Sequence, residues 1–344
     1  MYKRLIVLVV SLLVTASAWA QKNKLNIFIW SEYIDPKIIE QFSKENDCKV
    51  TVDLYEDNES MMAKLEGGGD SLYDICVPSD YIIPALIKNG LLAPLRKENI
   101  PNMKNIDPKF ANREYDPGNK YTAPYQWGTV GLYVRKKPGE TIDETWGLVF
   151  DAKKQIGSFL IIDDARAAIG AALKYKGFSL NSTDKKQLKD ARDVLIETKK
   201  RSLGFEGGVG IKNKVLAKVC RVGMVYNGDA VRGMKEDPET YYFVPREGSE
   251  IWLDNMAIPA KAPNRDMAEK FINYILDAKI GAQLSNFNQY ATPNTAALEF
   301  ISPADLKNPA IYPPPDVMKT LEFVRDLGAK TGWYDELWTG IKSK

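Results

Sequence analysis

The sequence predicts an α/β fold made of two α/β units. Short apolar strand patterns alternate with amphipathic helix patterns over residues 25–90, and the alternation returns over residues 157–245. Such alternation is typical of a mainly parallel sheet with right-handed crossovers. The chain has 344 residues, of which 44% are hydrophobic, so it can form two domains with separate cores.

The N-terminal end has the pattern of a cleavable export signal. Lys3 and Arg4 form a positive start, residues 5–14 are apolar, and residues 18–20 form an A-x-A cleavage site. We therefore expect cleavage after Ala20 and a periplasmic protein. The apolar run is too short for a transmembrane helix and no cysteine follows the cleavage site, so we expect a soluble protein without a lipid anchor.

The composition argues against several functional classes. Removing the signal takes away two of the 47 basic residues and no acidic ones, so 45 basic residues balance 45 acidic residues. This balance gives no support for a nucleic-acid or anionic-membrane partner. Histidine is absent, which excludes Ser-His-Asp catalysis and histidine metal sites. We expect no cofactor and no metal.

The three cysteines do not form a recognisable framework. Cys48, Cys76 and Cys220 are widely spaced and lack metal-ligand spacing. Cys76 lies in a strand pattern, which favours a small buried apolar residue. A bridge between Cys48 and Cys76 is the alternative.

The first strand pattern leads into the most informative stretch of the chain. Residues 25–29 alternate as a buried strand, and Asp35 and Pro36 are typical of a helix N-cap and first turn. Ligands bind at such strand-to-helix turns in open α/β sheets. The residues between strand and helix are Trp30, Ser31, Glu32 and Tyr33. As an alternative, the two aromatic residues only close the top of a core.

The rest of the first unit repeats this alternation. Residues 48–55 and 73–77 have strand patterns. Helices are predicted from Asn58 to a run of three glycines and from about Pro84 onward. The third strand runs into Ser79, Asp80 and Tyr81.

The second unit has the same organisation. Strands are predicted at residues 157–162, 221–226 and 241–245, and helices at residues 184–200 and 212–219. Aspartates follow two of these strands, as they followed the strands of the first unit. The polar strand ends are Asp163 and Asp164 after the first, and Tyr226, Asn227, Gly228 and Asp229 after the second.

Two β-rich stretches are predicted to connect the units. Residues 99–120 read as a polar surface segment, and residues 121–134 then form a strand in which Gly128 makes a break between lobes. Residues 251–259 form the returning strand. The C-terminal part is predicted as a helix capped by Asn264, a loop with Tyr290, and helices at residues 316–327 and 334–342.

The predicted strand ends share one chemistry, with aromatic side chains next to carboxylates and only Arg166 as a nearby cation. Carboxylates make strong hydrogen bonds to ammonium groups, and aromatic faces attract cations and pack on methylenes. These residues favour an elongated organic cation bound in a cleft. Because an unpartnered buried carboxylate is costly, a diammonium ligand would favour closure of that cleft.

Other interpretations remain open on the residues alone. Asp163, Asp164 and Asp229 could each be only a helix N-cap. An enzyme such as a glycosidase could use Glu32 with Asp164 or Asp254 as an acid/base pair. A receptor for iron or a small anion is a third alternative, although too few tyrosines and too few donors converge for it.

Seven short motifs, which occur in order along the chain, indicate the function more specifically. They lie at residues 30–33, 55–61, 77–81, 163–166, 223–228, 252–254 and 290–294. In order and composition they resemble the periplasmic spermidine/putrescine-binding proteins of polyamine ABC transporters. The resemblance implies a two-lobed periplasmic binding protein fold with an interlobe ligand cleft and a crossing-strand hinge. It also implies a non-enzymatic protein, most simply monomeric, that delivers a polyamine to an inner-membrane ABC permease.

The resemblance assigns the lobes and the site. Lobe 1 would comprise residues 21–127 and about 253–310, and lobe 2 residues 128–252 and about 311–344. Aromatic walls, hydroxyls and carboxylates would contact the polyamine, while the sequence leaves open whether Glu32 faces ligand or solvent. The ligand-binding residues expected are Trp30, Ser31, Glu32, Tyr33, Ser79, Tyr81, Asp164, Tyr226, Asp229, Trp252, Asp254 and Tyr290.

Within this family resemblance, a few positions bear on which amine fits. Ala167 stands where the family commonly has an amine-binding glutamate, and Val324 where a spermidine-contacting glutamine is expected. Tyr226 replaces the tryptophan of spermidine receptors, and Asp229 matches the putrescine-preferring members. The pattern favours putrescine over spermidine, with another cationic amine as the alternative.

Overall fold

The computed structural model describes residues 23–343, so the predicted export signal lies outside the described residues. The strands are β1 Asn23–Trp30, β2 Cys48–Tyr55, β3 Ile75–Cys76, β4 Leu92–Ala93, β5 Thr122–Arg135, β6 Phe159–Ile162, β7 Phe205–Glu206, β8 Val222–Tyr226, β9 Thr240–Phe243, β10 Glu250–Pro259 and β11 Glu322–Phe323. The predicted strand patterns of both units are therefore confirmed, although several strands are shorter than predicted.

The helices alternate with these strands. They are α1 Pro36–Glu45, α2 Asn58–Glu66, α3 Ile83–Lys88, α4 Gly147–Phe150, α5 Ala165–Tyr175, α6 Lys185–Lys199, α7 Gly208–Leu216, α8 Asn227–Glu236, α9 Arg265–Ile275, α10 Ala278–Asn288, α11 Pro303–Leu306, α12 Pro315–Met318 and α13 Thr331–Lys342. Within residues 23–343, none of these helices is long and apolar enough to cross a membrane.

The strands form one continuous ladder with a parallel part at each end. The main order is β2-β1-β3-β10-β5-β8-β6-β7, with β4 and β11 also paired to β10, and β9 to β5. β1 is parallel to β2 and β3, and β6 is parallel to β7 and β8. Two antiparallel strands, β5 and β10, join these parts. The predicted α/β fold of two units is thus confirmed; the exact lobe boundaries stay a prediction.

Strand β5 belongs to both units because its two halves have different neighbours. Its first half, up to Thr129, pairs with β10, and its second half, from Val130, pairs with β8. The strand runs unbroken through Gly128, so the predicted break is wrong. Glycine is needed there because a Cβ would lie 2.3 Å from Asn227 Oδ1 and 2.5 Å from Trp252 Cζ2.

We expect Gly128→Ala to destabilise the protein by about 1–3 kcal/mol, because the added methyl overpacks the crossing strands. Gly340→Ala is the matched control. Gly340 lies in α13 with nothing within 4 Å of an added Cβ, so this change should stabilise the helix by up to about 1 kcal/mol. Urea unfolding of both variants measures the difference; equal and small effects would contradict the close packing.

Several helices begin directly after an aspartate that acts as the N-cap. Asp35, Asp164 and Asp184 each accept a hydrogen bond from a backbone N–H in the first turn of the helix they precede. Helix α2 begins at Asn58 as predicted, and its N-cap is the preceding residue, Asp57. Asn58 is buried, and its amide contacts the residues that follow β3.

The segment at residues 99–120 is packed more tightly than predicted. Ile106, Phe110 and Asp116 are all buried. The Asp116 carboxylate accepts hydrogen bonds from the backbone N–H groups of Lys120, Tyr121 and Thr122 and from the Thr122 hydroxyl. This carboxylate fixes the entry into β5, which the polar composition alone did not indicate.

The predicted helix at residues 316–327 is wrong. Only Pro315–Met318 is helical, and Glu322–Phe323 forms strand β11. Glu322 pairs with Glu250 of β10, and its carboxylate accepts a hydrogen bond from Lys174 Nζ at 2.8 Å. A contact distant in sequence thus overrides the local helical pattern.

The cysteines are buried. Cys76 carries a free thiol that faces the Ala257 carbonyl oxygen at 3.8 Å. Burial raises the pKa of this thiol to about 12. The prediction of a small buried apolar residue holds for Cys76, and the alternative bridge to Cys48 is wrong.

Candidate functional site

The strand ends of the two units enclose a cavity of about 70 Å³. About 10–15 Å³ is enough to hold one water, so this space suits a small molecule. The carboxyl ends of β1 and β3 face those of β6 and β8 across the middle of the crossing strands β5 and β10. Eleven of the twelve predicted ligand-binding residues line the cavity. They are Trp30, Ser31, Tyr33, Ser79, Tyr81, Asp164, Tyr226, Asp229, Trp252, Asp254 and Tyr290.

The wall contributed by the end of β1 is held by neighbouring strands. Trp30 Nε1 donates to the Val77 carbonyl at 2.9 Å, and its ring packs on Tyr55 with centroids 4.8 Å apart. The Ser31 hydroxyl donates to the Glu56 carboxylate. Parallel pairing of β1 with β2 and β3 therefore fixes both side chains at the cavity.

Four aromatic residues form a cluster around one side of the cavity, here called the aromatic group: Tyr33, Tyr226, Trp252 and Tyr290. Trp252 meets Tyr226 edge-on at 5.9 Å and Tyr290 at 5.2 Å, and Tyr33 meets Tyr290 at 5.3 Å. Edge-to-face contacts at these distances hold the rings in fixed orientations. The group joins residues from the turn after β1, from β8, from β10 and from the loop after α10.

Asp254 lies in the crossing strand β10, where the pairing register with β5 shifts. Its carboxylate accepts a hydrogen bond from the Ser79 hydroxyl at 2.6 Å, and the residue is buried. Burial raises the pKa of Asp254 to about 7, against the opposing effect of the Ser79 hydrogen bond. Burial in the cavity therefore disfavours the charged form of this carboxyl.

Asp164 has two roles. Its Oδ1 accepts from the backbone N–H of Ala167 as the N-cap of α5, and its Oδ2 accepts from the Tyr226 hydroxyl at 3.0 Å. Burial raises the pKa of this carboxyl despite those hydrogen bonds. The N-cap interpretation is therefore correct, and Asp164 also lines the cavity, while its contact with a ligand stays a prediction.

Glu250 is a cavity carboxylate that the sequence reasoning missed. It is the first residue of β10, directly before the predicted strand, and it lines the cavity. Its Oε2 is buried without a hydrogen-bond partner in the described chain. Burial, reinforced by the nearby Asp164, raises its pKa well above the usual range. The only signal in the sequence that could have indicated Glu250 is its position in the strand. Side chains alternate along a strand, so Glu250 lies on the same face of β10 as Trp252 and Asp254.

Tyr81 is held between the two units. Its hydroxyl donates to the Glu59 carboxylate at 3.0 Å and accepts from the Asn58 amide. Burial raises the pKa of Glu59 to about 7. The Arg166 guanidinium of α5 lies over the Tyr81 ring at 5.4 Å and also over Tyr334 at 4.7 Å. Arg166 therefore packs against aromatic rings and does not neutralise the cavity carboxylates by an ion pair.

Glu32 is the predicted residue that does not line the cavity. It has a φ of +51° at the turn after β1, and its side chain is 45% exposed. Its carboxylate forms ion pairs with Arg232 at 2.9 Å and Lys212 at 3.4 Å, both from the second unit. Sequence reasoning found no cation for Glu32, because Arg232 and Lys212 are 200 and 180 residues away in sequence. It also overlooked that Arg232 stands three residues after Asp229.

Two positions that differ from the family pattern are buried. Ala167, on the first turn of α5, presents only a methyl group. Val324 is packed in a hydrophobic cluster with Phe28 and Tyr81 and does not line the cavity. Among residues 23–343, no group of three or more potential ligands is arranged to hold a metal ion.

The sequence matches the family of bacterial extracellular solute-binding proteins over residues 37–314. The chain belongs to this family. Proteins of this family bind a solute without transforming it, so the prediction of a non-enzymatic protein is confirmed and the glycosidase alternative is excluded.

This solute-binding protein has relatives of nearly equal length. It is 33% identical to the spermidine/putrescine-binding periplasmic protein of Escherichia coli K12, covering 93% of this chain and 92% of that protein. It is 34% identical to the putrescine-binding periplasmic protein SpuD of Pseudomonas aeruginosa, covering 99% and 98%. A solved Listeria monocytogenes structure, named as a spermidine/putrescine ABC transporter, matches with a TM-score of 0.87 and 37% identity over 93% of this chain and 99% of that one. The predicted periplasmic binding protein fold is confirmed.

Proposed function

We propose that this protein is the substrate-binding component of an ABC importer for a polyamine, with putrescine preferred over spermidine. The observation that carries the proposal is a pair of buried cavity carboxylates, Asp254 and Asp164, whose hydrogen bonds come from hydroxyl and backbone groups. Neither carboxylate forms an ion pair with a basic side chain within residues 23–343. Each therefore offers an oxygen to an ammonium group of the ligand.

The electrostatics support a dication over a neutral or anionic solute. Burial raises the pKa of both Asp254 and Asp164, so a closed cavity without ligand works against their ionised forms. An ammonium group next to each carboxylate would restore ionisation and form a charge-assisted hydrogen bond. An anionic solute would meet two or more carboxylates and would be repelled.

The aromatic group supplies the rest of the recognition. Its rings would pack on the methylenes between the two ammonium groups and interact with the cations themselves. Because it joins residues of both units, a ligand packed against it would favour the closed arrangement. The small cavity and the methyl group of Ala167 support a short diamine.

The remaining parts of the proposal concern transport. Delivery to an inner-membrane permease agrees with the ABC-transporter name of the Listeria structure, and periplasmic location agrees with the names of the Escherichia coli and Pseudomonas relatives. The predicted export signal supports secretion, and we expect the protein to act as a monomer.

Isothermal titration calorimetry of the purified, dialysed protein tests the proposal. Putrescine and spermidine should each give a saturable heat, with putrescine binding more tightly, whereas glucose and glutamate at the same concentrations should give none. Binding of glutamate or glucose in place of the amines would overturn the assignment. The titrations are repeated at a second temperature, because a binding enthalpy near zero at one temperature would hide binding. Absence of heat with every amine at both temperatures would also overturn the assignment.

A further inference from the structure

Arg232 occupies a position between two carboxylates that the sequence assigned to the ligand. Its guanidinium pairs with Asp229 at 2.5 Å and with Glu32 at 2.9 Å. A third hydrogen bond runs from Nη1 to the Asn288 carbonyl at 2.8 Å. One side chain of the second unit therefore satisfies a carboxylate from each unit and a backbone carbonyl.

This arrangement is part of the fold and not a loose surface contact. Asp229 and Arg232 lie three residues apart on α8, so the helix places them side by side. The Arg232 side chain is 14% exposed and that of Asp229 is 6% exposed. Lys212 of α7 adds a second cation at Glu32, with its own side chain 7% exposed.

The charges within the site then divide into two sets. Asp229 lines the cavity, but Arg232 already supplies its cation. Asp254, Asp164 and Glu250 line the same cavity without such a partner in the described chain, with Glu250 close to Asp164. The unpaired carboxylates of Asp254 and Asp164 can hold the two ammonium groups of a diamine, whereas an additional ammonium group that reaches the Asp229 side of the cavity meets a carboxylate that Arg232 already neutralises.

We propose that Arg232 is a specificity-determining residue that acts as an internal cation, taking the place of a third ligand ammonium group and restricting the cleft to diamines. This inference rests on the proposed polyamine function and deepens it. Arg232 acts by neutralising Asp229 and Glu32, and it need not touch the ligand itself.

The test compares two substitutions that each remove one positive charge from α8. Arg232→Met frees Asp229, while Lys235→Met removes a lysine one turn further along that pairs with Asp305 at the surface. Calorimetric Kd values for putrescine and spermidine are measured on each protein and on the unaltered chain. The readout is the ratio of the two Kd values, since any general effect on lobe closure cancels in the ratio.

We expect Arg232→Met to shift the ratio toward spermidine by about tenfold or more, the size of one charge-assisted hydrogen bond to an ammonium group. Lys235→Met should leave the ratio unchanged, and Arg232→Lys, which retains the positive charge, should keep the preference for putrescine. An unchanged ratio in Arg232→Met, or an equal shift in Lys235→Met, overturns the inference.

A measurement on the unaltered protein covers the case in which Arg232→Met does not fold. Putrescine, cadaverine and spermidine are titrated in turn, and the two diamines should bind more tightly than the triamine. Equal or tighter binding of spermidine overturns the role of Arg232 and the preference for putrescine, while leaving the proposed polyamine import intact. Failure of all three amines to bind would instead overturn the proposed function itself.

Discussion

Asp254→Asn should raise the Kd for putrescine by about a hundredfold or more, because truncating one partner of a buried charge pair costs about 2–5 kcal/mol. The substitution keeps the shape of the side chain and the hydrogen-bond contact with Ser79. It removes the negative charge that an ammonium group requires. Calorimetric titration with putrescine measures the change directly.

The unliganded variant provides an internal control for folding. Because burial already disfavours the charged form of Asp254, Asp254→Asn should unfold at a temperature equal to or above that of the unaltered protein. The increase in melting temperature caused by putrescine should be lost. Asp193→Asn is the matched control, since Asp193 is an exposed aspartate of α6 paired with Lys189 and Arg192. An unchanged putrescine affinity in Asp254→Asn would remove this carboxylate from the site.

Putrescine binding should weaken steeply below neutral pH. The pKa of Asp254 is about 7 in the closed, unliganded cavity, and a bound ammonium group would lower it. The ligand itself stays charged, since alkyl ammonium groups resemble lysine with a pKa of about 10.4. Below pH 7, binding must therefore release a proton from Asp254, and the Kd should rise about tenfold per pH unit, or about a hundredfold at pH 5.

Proton release is the decisive measurement for this pH effect. Titrations at pH 6 in buffers with different ionisation enthalpies should show release of about one proton or more per putrescine. More than one is expected if Asp164 or Glu250 contributes, since the pKa of each is also raised by burial. Asp254→Asn should reduce the count by one. A pH-independent Kd between pH 5 and 8 would contradict this prediction.

The unliganded closed form should have the opposite dependence on pH. Its folded-state Asp254 has a pKa of about 7, compared with an ordinary value of 3.8. The native state therefore retains a proton that the unfolded state releases between these two values. The contribution of Asp254 to the free energy of unfolding is therefore greatest below pH 3.8. It falls by roughly 4 kcal/mol as the pH rises to about 7. A cationic ligand or opening of the cleft relieves that penalty.

The binding cavity could be predicted from sequence to an unusual extent because its residues stand directly at strand ends. Within each unit the parallel strands, β1 with β3 and β6 with β8, bring their carboxyl ends to one edge. Ser31, Ser79 and Asp164 follow from this rule without any knowledge of packing. That the two edges face each other across the middle of β5 follows only from the antiparallel pairing of β10, β5 and β8. The recurrence of aromatic residues beside carboxylates then indicates the chemistry of the solute.

Partners distant in sequence could not be predicted in this way. Glu32 and Arg232 are 200 residues apart, and nothing in either local pattern indicates that they meet. Glu250 was missed for a related reason, since its burial depends on how β10 crosses between the units. The pairing of Glu322 with β10 likewise replaced a predicted helix by a strand.

The sequence by itself determined the alternating α/β elements, the helix caps at Asp35 and Asp164, and the collection of aromatic and acidic residues at strand ends. These features depend on local periodicity and on hydrogen bonds within a few residues. The i,i+3 spacing of Asp229 and Arg232 is a further local feature, which the sequence reasoning overlooked. The tertiary structure alone decided that Arg232 also reaches Glu32 and that Asp254 and Asp164 line the cavity without a cation from residues 23–343, because these contacts depend on side chains brought together from both units. Arg232 neutralises Asp229 and Glu32, while Asp254 and Asp164 stay without an ion pair in the described chain, as the proposed binding of a cationic solute requires.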